Sequence, residues 1–229
     1  MSVEQEKLSA ACFAADLVQP GMLVGLGSGT TAEVAIAELG RKFQQGLSFS
    51  GVPTSQRSAD IARSFGIPLA NLDGHRLLDL NIDGADEVDP DLNCVKGHGG
   101  QLLREKIVAV SSHRFVVIAD SSKRVERLGS RAPVPVEVIP FGWKTTMARL
   151  EALGFTCALR GGETPYITAG QNYILDCVQP AHLELADPSV SDAIKRQIGV
   201  VEHGIFLNLA TMVVFGAGDG VDVLEHHRG

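Results

Sequence analysis

The chain has 229 residues, of which 45% are hydrophobic and 21% charged, and carries a formal net charge of −7 at pH 7. That balance excludes an intrinsically disordered chain, and the acidic excess excludes a broadly basic nucleic-acid surface. An anionic ligand would have to be held by local donors against the global field.

The opening stretch MSVEQEKLSAACFAADLV carries Glu4, Glu6 and Asp16 and does not fit a secretory signal. The most apolar late stretch, GIFLNLATMVVFGAG, is too short for a membrane span and is broken by Asn208 and Thr211. The expectation is a cytoplasmic protein. Cys12, Cys94, Cys157 and Cys177 form no C-x-x-C pair and are expected to be reduced thiols.

Residues 3–18 place Leu8, Ala11, Cys12, Ala15 and Val18 on a helical stripe that Pro20-Gly21 ends. MLVGL then reads as a buried strand, GSGTT as a loop and AEVAIAELGRKF as a helix, the opening of a parallel α/β unit. A helix over 56–65, a strand LLDLNI, a helix LLREKIVAV and a strand RFVVIAD continue the alternation. The spacing predicts an α/β fold: a doubly wound, Rossmann-like sheet with a second, smaller α+β domain.

The texture changes near Gly129. The prolines of APVPVEVIPFGW predict an edge strand or linker. A helix over 144–153, strands FTCALR and NYILDCV around a Gly-Gly turn, and a helix over 189–197 follow. The last strand-like runs are expected to rejoin the first domain. The predicted division is 1–128 plus 205–229 for the Rossmann-like catalytic domain and 129–204 for the small α+β domain. The EHHRG tail is expected to be frayed.

Four segments carry groups suited to chemistry. In Gly25-Leu26-Gly27-Ser28-Gly29-Thr30-Thr31, between strand and helix, unpaired helix N–H groups and three hydroxyls favour an anion. Phosphate binding, cofactor binding and a plain tight turn all fit that loop, whereas the P-loop pattern is absent. Asn81-Ile82-Asp83-Gly84-Ala85-Asp86-Glu87-Val88-Asp89 places carboxylates just after a strand, where open α/β sheets bind ligands. Proton transfer, a divalent-metal site and a solvated acidic turn remain open for it, though the EF-hand spacing is not met.

Lys96-Gly97-His98-Gly99-Gly100-Gln101 leads into a helix with Arg104, Glu105 and Lys106. A lysine can stabilise an oxyanion and a partly buried glutamate can take a proton from carbon, while an ordinary charged helical face explains the same residues. Ala119-Asp120-Ser121-Ser122-Lys123 ends another strand, either as a further cation or as a polar turn. All four segments are expected to converge on one sheet edge.

In that order, GLGSGTT, DGADE, KGHGGQLLREK and ADSSK resemble the type A family of ribose-5-phosphate isomerases, as do PVPVEVIPFGW and GVVEHGIF, so the likeness spans nearly the whole chain. The resemblance implies reversible aldose–ketose isomerisation through an enediol(ate), without metal or cofactor. It implies that Ser28, Gly29, Thr30 and Thr31 cradle the sugar phosphate. Asp83, Gly84, Ala85, Asp86, Lys96, Gly97, His98 and Gly99 line its sugar end, and Lys123 holds it. Glu105 would be the base, Asp83 and Asp86 would assist proton movement, and Lys96 would stabilise the enediolate oxygen.

His98 stands where the commoner motif has glycine. Its side chain is expected to point away from the substrate, because the loop needs backbone approach. The seven histidines, His75, His98, His113, His182, His203, His226 and His227, show no ligand spacing. The resemblance also implies a homodimer, no nucleic acid and no membrane. Two rivals remain: a non-catalytic sugar-phosphate sensor on the same fold, and a methyltransferase using GLGSGTT. The latter needs an acidic residue after the second strand, where SFSGVPTSQRS stands instead.

Overall fold

The computed structural model describes residues 2–73, 77–218 and 220–226; His75, His227 and the rest of the tail lie outside them. In chain order the elements begin α1 (Val3–Asp16), β1 (Leu23–Leu26), α2 (Thr30–Gln44), β2 (Ser50–Pro53), α3 (Gln56–Ser64) and β3 (Leu80–Gly84). Next come β4 (Glu87–Val88), β5 (Cys94–Val95), α4 (Leu102–Val110), β6 (Phe115–Asp120), β7 (Val134–Val138) and α5 (Trp143–Ala152). The chain continues through β8 (Thr156–Leu159), β9 (Tyr173–Val178), α6 (Pro188–Lys195), β10 (Val200–His203), β11 (Ile205–Phe206), β12 (Met212–Ala217) and β13 (Gly220–Glu225).

These elements form two compact units. The first comprises Met1–Ala85, Arg104–Lys123 and Asn208–Gly229, and the second Asp86–Leu103 and Arg124–Leu207. The contacts therefore divide the chain elsewhere than at 128/129 and 204/205: residues 86–103 group with the smaller unit.

The first unit is built on a sheet of order β13-β12-β6-β3-β1-β2. β12, β6, β3, β1 and β2 run parallel, and β13 closes one edge antiparallel to β12. From β1 the chain moves outward to β2, then returns to β3 on the other side, so the strand order reverses between β1 and β3. Such a reversal is where open α/β sheets leave a crevice.

Alternation along the strands sends Val24, Leu26, Leu80, Ile82, Val116, Ile118, Met212 and Val214 into one core. There they meet Ala10, Ala11, Ala14 and Ala15 of α1 and Ala35, Ile36 and Leu39 of α2. The alanine face brings α1 close to the sheet, and each larger aliphatic contributes about 1.5–3 kcal/mol of burial. On the other face Val108 of α4 packs with Val52 and Leu78. Ser2 and Gln5 form a capping box that starts α1.

The second unit holds an antiparallel sheet of order β10-β7-β9-β8 and a small sheet of order β11-β5-β4. Val134, Val136 and Val138 of β7, Leu175 and Cys177 of β9, Leu150 of α5 and Ile194 of α6 form its core. β7 is thus an interior strand, which corrects the expectation of an edge or linker. The β10 ladder ends at the pair His203↔Val136, so the missing N–H of Pro135 falls just beyond it.

The expectation of four reduced thiols is also corrected. Cys157 and Cys177 stand opposite each other on β8 and β9 and are joined as a disulfide. The pairing joins residues 20 apart in sequence, which no local spacing signals. Cys12 and Cys94 remain thiols. In the unfolded chain without reductant, iodoacetamide should label Cys12 and Cys94 only; all four labelled without reductant would contradict the bond. In the native protein Cys12 should react slowly at neutral pH, because burial, with Glu38 and Asp16 adding to it, pushes its thiol up and depletes the thiolate.

Candidate active site

In the first unit the site is built at the reversal between β1 and β3. Gly27 and Asp83 face each other so closely that a Cβ at Gly27 would meet the Asp83 Cα at 2.6 Å and overlap its carboxyl group. The carboxylate is fully buried. Its Oδ1 accepts the Ser28 N–H at 2.9 Å and the Gly84 N–H at 2.7 Å. One step back along both strands, a Cβ at Gly25 would collide with the Asn81 amide and with Val108 of α4. Gly25 of β1 and Gly27 just past its end thus clear the room that two polar side chains of β3 occupy.

The loop below is fixed by hydroxyls. Thr54 Oγ1 donates to the Leu26 carbonyl at 3.1 Å, and Ser58 Oγ to the Gly27 carbonyl at 2.5 Å. Ser28 Oγ lies 2.6 Å from Thr54 Oγ1, and with the Thr54 proton committed to Leu26, Ser28 must donate. Both donors of Ser28 are therefore engaged within the protein. Gly29, at φ +94°, caps α2 without any side-chain cap bond. The first-turn N–H groups of α2, with Thr30 exposed and Thr31 buried, are left to face an anion. Lys123 stands half-buried on the turn Ser121–Lys123 after β6, the strand beside β3. Asp120 Oδ1 caps that turn through the Ser122 N–H at 3.0 Å, and the N–H and Oγ of Ser121 both bond Glu6.

Glu105 lies on the buried stripe of α4 with Leu102, Val108 and Ala109, while Arg104 is exposed. An ordinary charged face is thus excluded for Glu105 and holds for Arg104. The Leu78 N–H bonds the Ser111 carbonyl, so the C-terminal end of α4 lies at the start of β3 and the helix runs antiparallel to the strand. Val108 and Asn81 both border Gly25; Glu105, one turn before Val108, and Asp83, two residues after Asn81, therefore both lie towards the strands' C-terminal ends.

In the second unit Asp86 leads from β3 into β4, whereas Lys96, Gly97, His98 and Gly99 follow β5 of the small antiparallel sheet, so the lysine-glycine segment does not end a strand of the parallel sheet. Lys96 is buried, with its Nζ 5.7 Å from the Phe206 ring centroid and its N–H on the Gly204 carbonyl. Gly97 has φ +103°, and a Cβ there would press on Leu102. Asp86 Oδ2 accepts the His98 N–H at 3.0 Å. The His98 ring lies between two groups of its own unit, with Nδ1 3.5 Å from Asp86 Oδ1 and Nε2 3.0 Å from the Pro133 carbonyl.

Arg160 was not legible as part of this loop, yet its Nη1 donates to the carbonyls of Gly97 and His98 at 3.1 and 2.9 Å. Asp176 holds that guanidinium in a fork. The only sequence trace is a lone arginine closing FTCALR and an aspartate inside NYILDCV. Within the acidic run, Glu87 and Asp89 are buried and structural. Glu87 accepts the N–H groups of Gly129, Arg131 and Ala132, and Asp89 binds Asn93. A solvated acidic turn is therefore not what forms. Among the described residues, no group of three or more His, Cys, Asp or Glu is arranged to hold a metal ion.

The close fit at Gly27 makes a test. Because the clash includes the backbone of β3, Gly27→Ala should lower stability by about 1–3 kcal/mol, read as a lower urea midpoint. An unchanged midpoint would show that β1 and β3 are not this tightly apposed.

Comparison with known proteins adds the family. Residues 50–220 match the family model described as ribose 5-phosphate isomerase A (phosphoriboisomerase A). The ribose-5-phosphate isomerase A of Synechococcus sp. (strain JA-3-3Ab) is 50% identical, over 98% of each chain. The solved ribose 5-phosphate isomerase A of Methanocaldococcus jannaschii superposes with a TM-score of 0.92 at 37% identity, covering 98% of this chain and 100% of that one. A D-ribose-5-phosphate isomerase in complex with phospho-erythronic acid gives 0.93 at 38% identity, covering 99% and 100%. With the glycine-cleared switch point, the buried Glu105 and the full-length likeness in hand, the chain belongs to the ribose-5-phosphate isomerase A family.

Proposed function

We propose that the protein interconverts D-ribose 5-phosphate and D-ribulose 5-phosphate by proton transfer through an enediol(ate), with Glu105 as the general base. The observation that carries this reading is the burial of Glu105 on the apolar stripe of α4, at the end of the helix that lies towards the same strand ends as Asp83. A carboxylate withdrawn from water suits removal of a proton from carbon.

In the forward direction Glu105 takes the proton from C2 of the open-chain aldose. The C–H electron pair forms the C1–C2 double bond, and negative charge gathers on the C1 oxygen. Lys96 stabilises that oxygen electrostatically. Glu105 then returns the proton to C1 while the C2 hydroxyl gives up its own and becomes the ketone, so no redox partner or metal is consumed. Asp83 and Asp86 move protons between oxygens and assist ring opening. Gly84, Ala85, Gly97 and Gly99 line the sugar with backbone atoms.

The phosphate falls to the N–H groups of Gly29, Thr30 and Thr31, the Thr31 hydroxyl and Lys123. Ser28 then contributes by holding Asp83 through its N–H. These donors are local, which suits a dianion approaching a chain of net charge −7. The same reading carries a cytoplasmic homodimer. No helix among the described residues is long and apolar enough to cross a membrane.

Glu105→Gln should keep the fold and sugar-phosphate binding while lowering kcat by about two to four orders of magnitude, as loss of a general base does. Ribulose 5-phosphate formation by the wild type should persist in excess EDTA. A variant with wild-type kcat would remove Glu105 from the mechanism.

A further inference from the structure

Asp86 and His98 form a contact that the common glycine-rich form of the loop could not make. We propose that His98 is a positioning residue, whose ring fixes the orientation of the Asp86 carboxylate; the inference rests on the isomerase reading, in which Asp86 faces the sugar. The carbonyl oxygen of Pro133 and the carboxylate oxygen of Asp86 only accept, so the ring donates to both, through Nε2 at 3.0 Å and Nδ1 at 3.5 Å, when each nitrogen carries a proton. The Nε2 bond anchors the far end of the ring. Nδ1 is thereby held 3.5 Å from Asp86 Oδ1, while the backbone N–H of the same residue bonds Oδ2 at 3.0 Å.

Both oxygens of the carboxylate thus face one residue. A glycine would supply the N–H alone and leave the carboxylate to turn about its terminal torsion. Holding a reacting or binding group in one orientation lowers the entropic cost of engaging substrate. The side chains of His98 and Asp86 keep 32% and 25% of their surface exposed, so the pair is open to a ligand rather than sealed in the core.

The backbone of the loop does not depend on the ring. Arg160 grips the carbonyls of Gly97 and His98 from its own fork with Asp176, and Tyr166 Oη reaches the Gly99 carbonyl at 3.4 Å. Removal of the imidazole should therefore release Asp86 without releasing the loop. That separation allows a positioning role to be told from a purely structural one.

The experiment is a double-mutant cycle on the full chain, with His98→Gly, Asp86→Asn and the pair. Affinity for phospho-erythronic acid is measured by calorimetry and turnover of ribose 5-phosphate in parallel. His98→Gly should weaken analogue binding by about three- to tenfold and raise KM more than it lowers kcat, and in the Asp86→Asn background the same substitution should change affinity less than about twofold. Affinity of His98→Gly within twofold of wild type would overturn the inference, and so would an equal loss in both backgrounds, which marks a structural role. If circular dichroism shows that His98→Gly does not fold, His98→Ala completes the cycle with the same expected values. A folded wild type that neither binds the analogue nor turns over ribose 5-phosphate overturns the isomerase reading and this inference together, whereas an active wild type with an unaltered His98 variant overturns this inference alone.

Discussion

The carboxylate of Asp83 occupies space that β1 leaves open by having glycine at position 27, and most of the first unit's site follows from that fit. With any side chain at Gly27, β1 and β3 could not stay in register while Asp83 points into the sheet reversal. The same apposition lets the Ser28 N–H reach Asp83 and turns the chain sharply into α2. The helix then begins at Gly29 without a side-chain cap, so its first N–H groups stay available to an anion. Clearing room for polar groups has a cost: the Asn81 amide, buried beside Gly25, finds no hydrogen-bond partner among the described residues.

The arrangement resolves a conflict set by composition. A chain with seven more acidic than basic charges repels a phosphate on the whole. On the proposed reading, short-range donors would overcome this: oriented backbone N–H groups, a hydroxyl and Lys123 would act within a few ångströms, where screening by salt is weakest. The hydroxyls of Thr54, Ser55 and Ser58 serve this end indirectly. They satisfy the carbonyls of Leu26 and Gly27 and one another, and so hold the loop in shape before a ligand arrives.

The parallel sheet was legible because its strands are short apolar runs punctuated by glycine and its helices are amphipathic. The helix LLREKIVAV begins and ends where its pattern does, and its stripe places Glu105 with Leu102, Val108 and Ala109. Features set by distant pairing were not legible. β7 contains Pro135 and is flanked by Pro133 and Pro140, yet it lies inside a sheet, because its β10 partner stops short of Pro135. Cys157 and Cys177 meet only because β8 and β9 pair in that register. The two-residue strands β4, β5 and β11 are too short for any periodicity, so the grouping of 86–103 with the second unit could not be seen. The contacts of His98 were hidden for the same reason: nothing near it in sequence announces the Pro133 carbonyl or Arg160.

The central claim is that a carboxylate moves a proton between two carbons, rather than a hydride shifting directly. Isomerisation of ribose 5-phosphate in deuterium oxide, followed by proton and deuterium NMR, tests this most directly. Whatever fraction of the transferred proton exchanges during the enediolate's lifetime should place deuterium at C1 of ribulose 5-phosphate, and Glu105→Gln should abolish turnover and this incorporation together. Deuterium incorporation at the wild-type rate in Glu105→Gln would contradict the account.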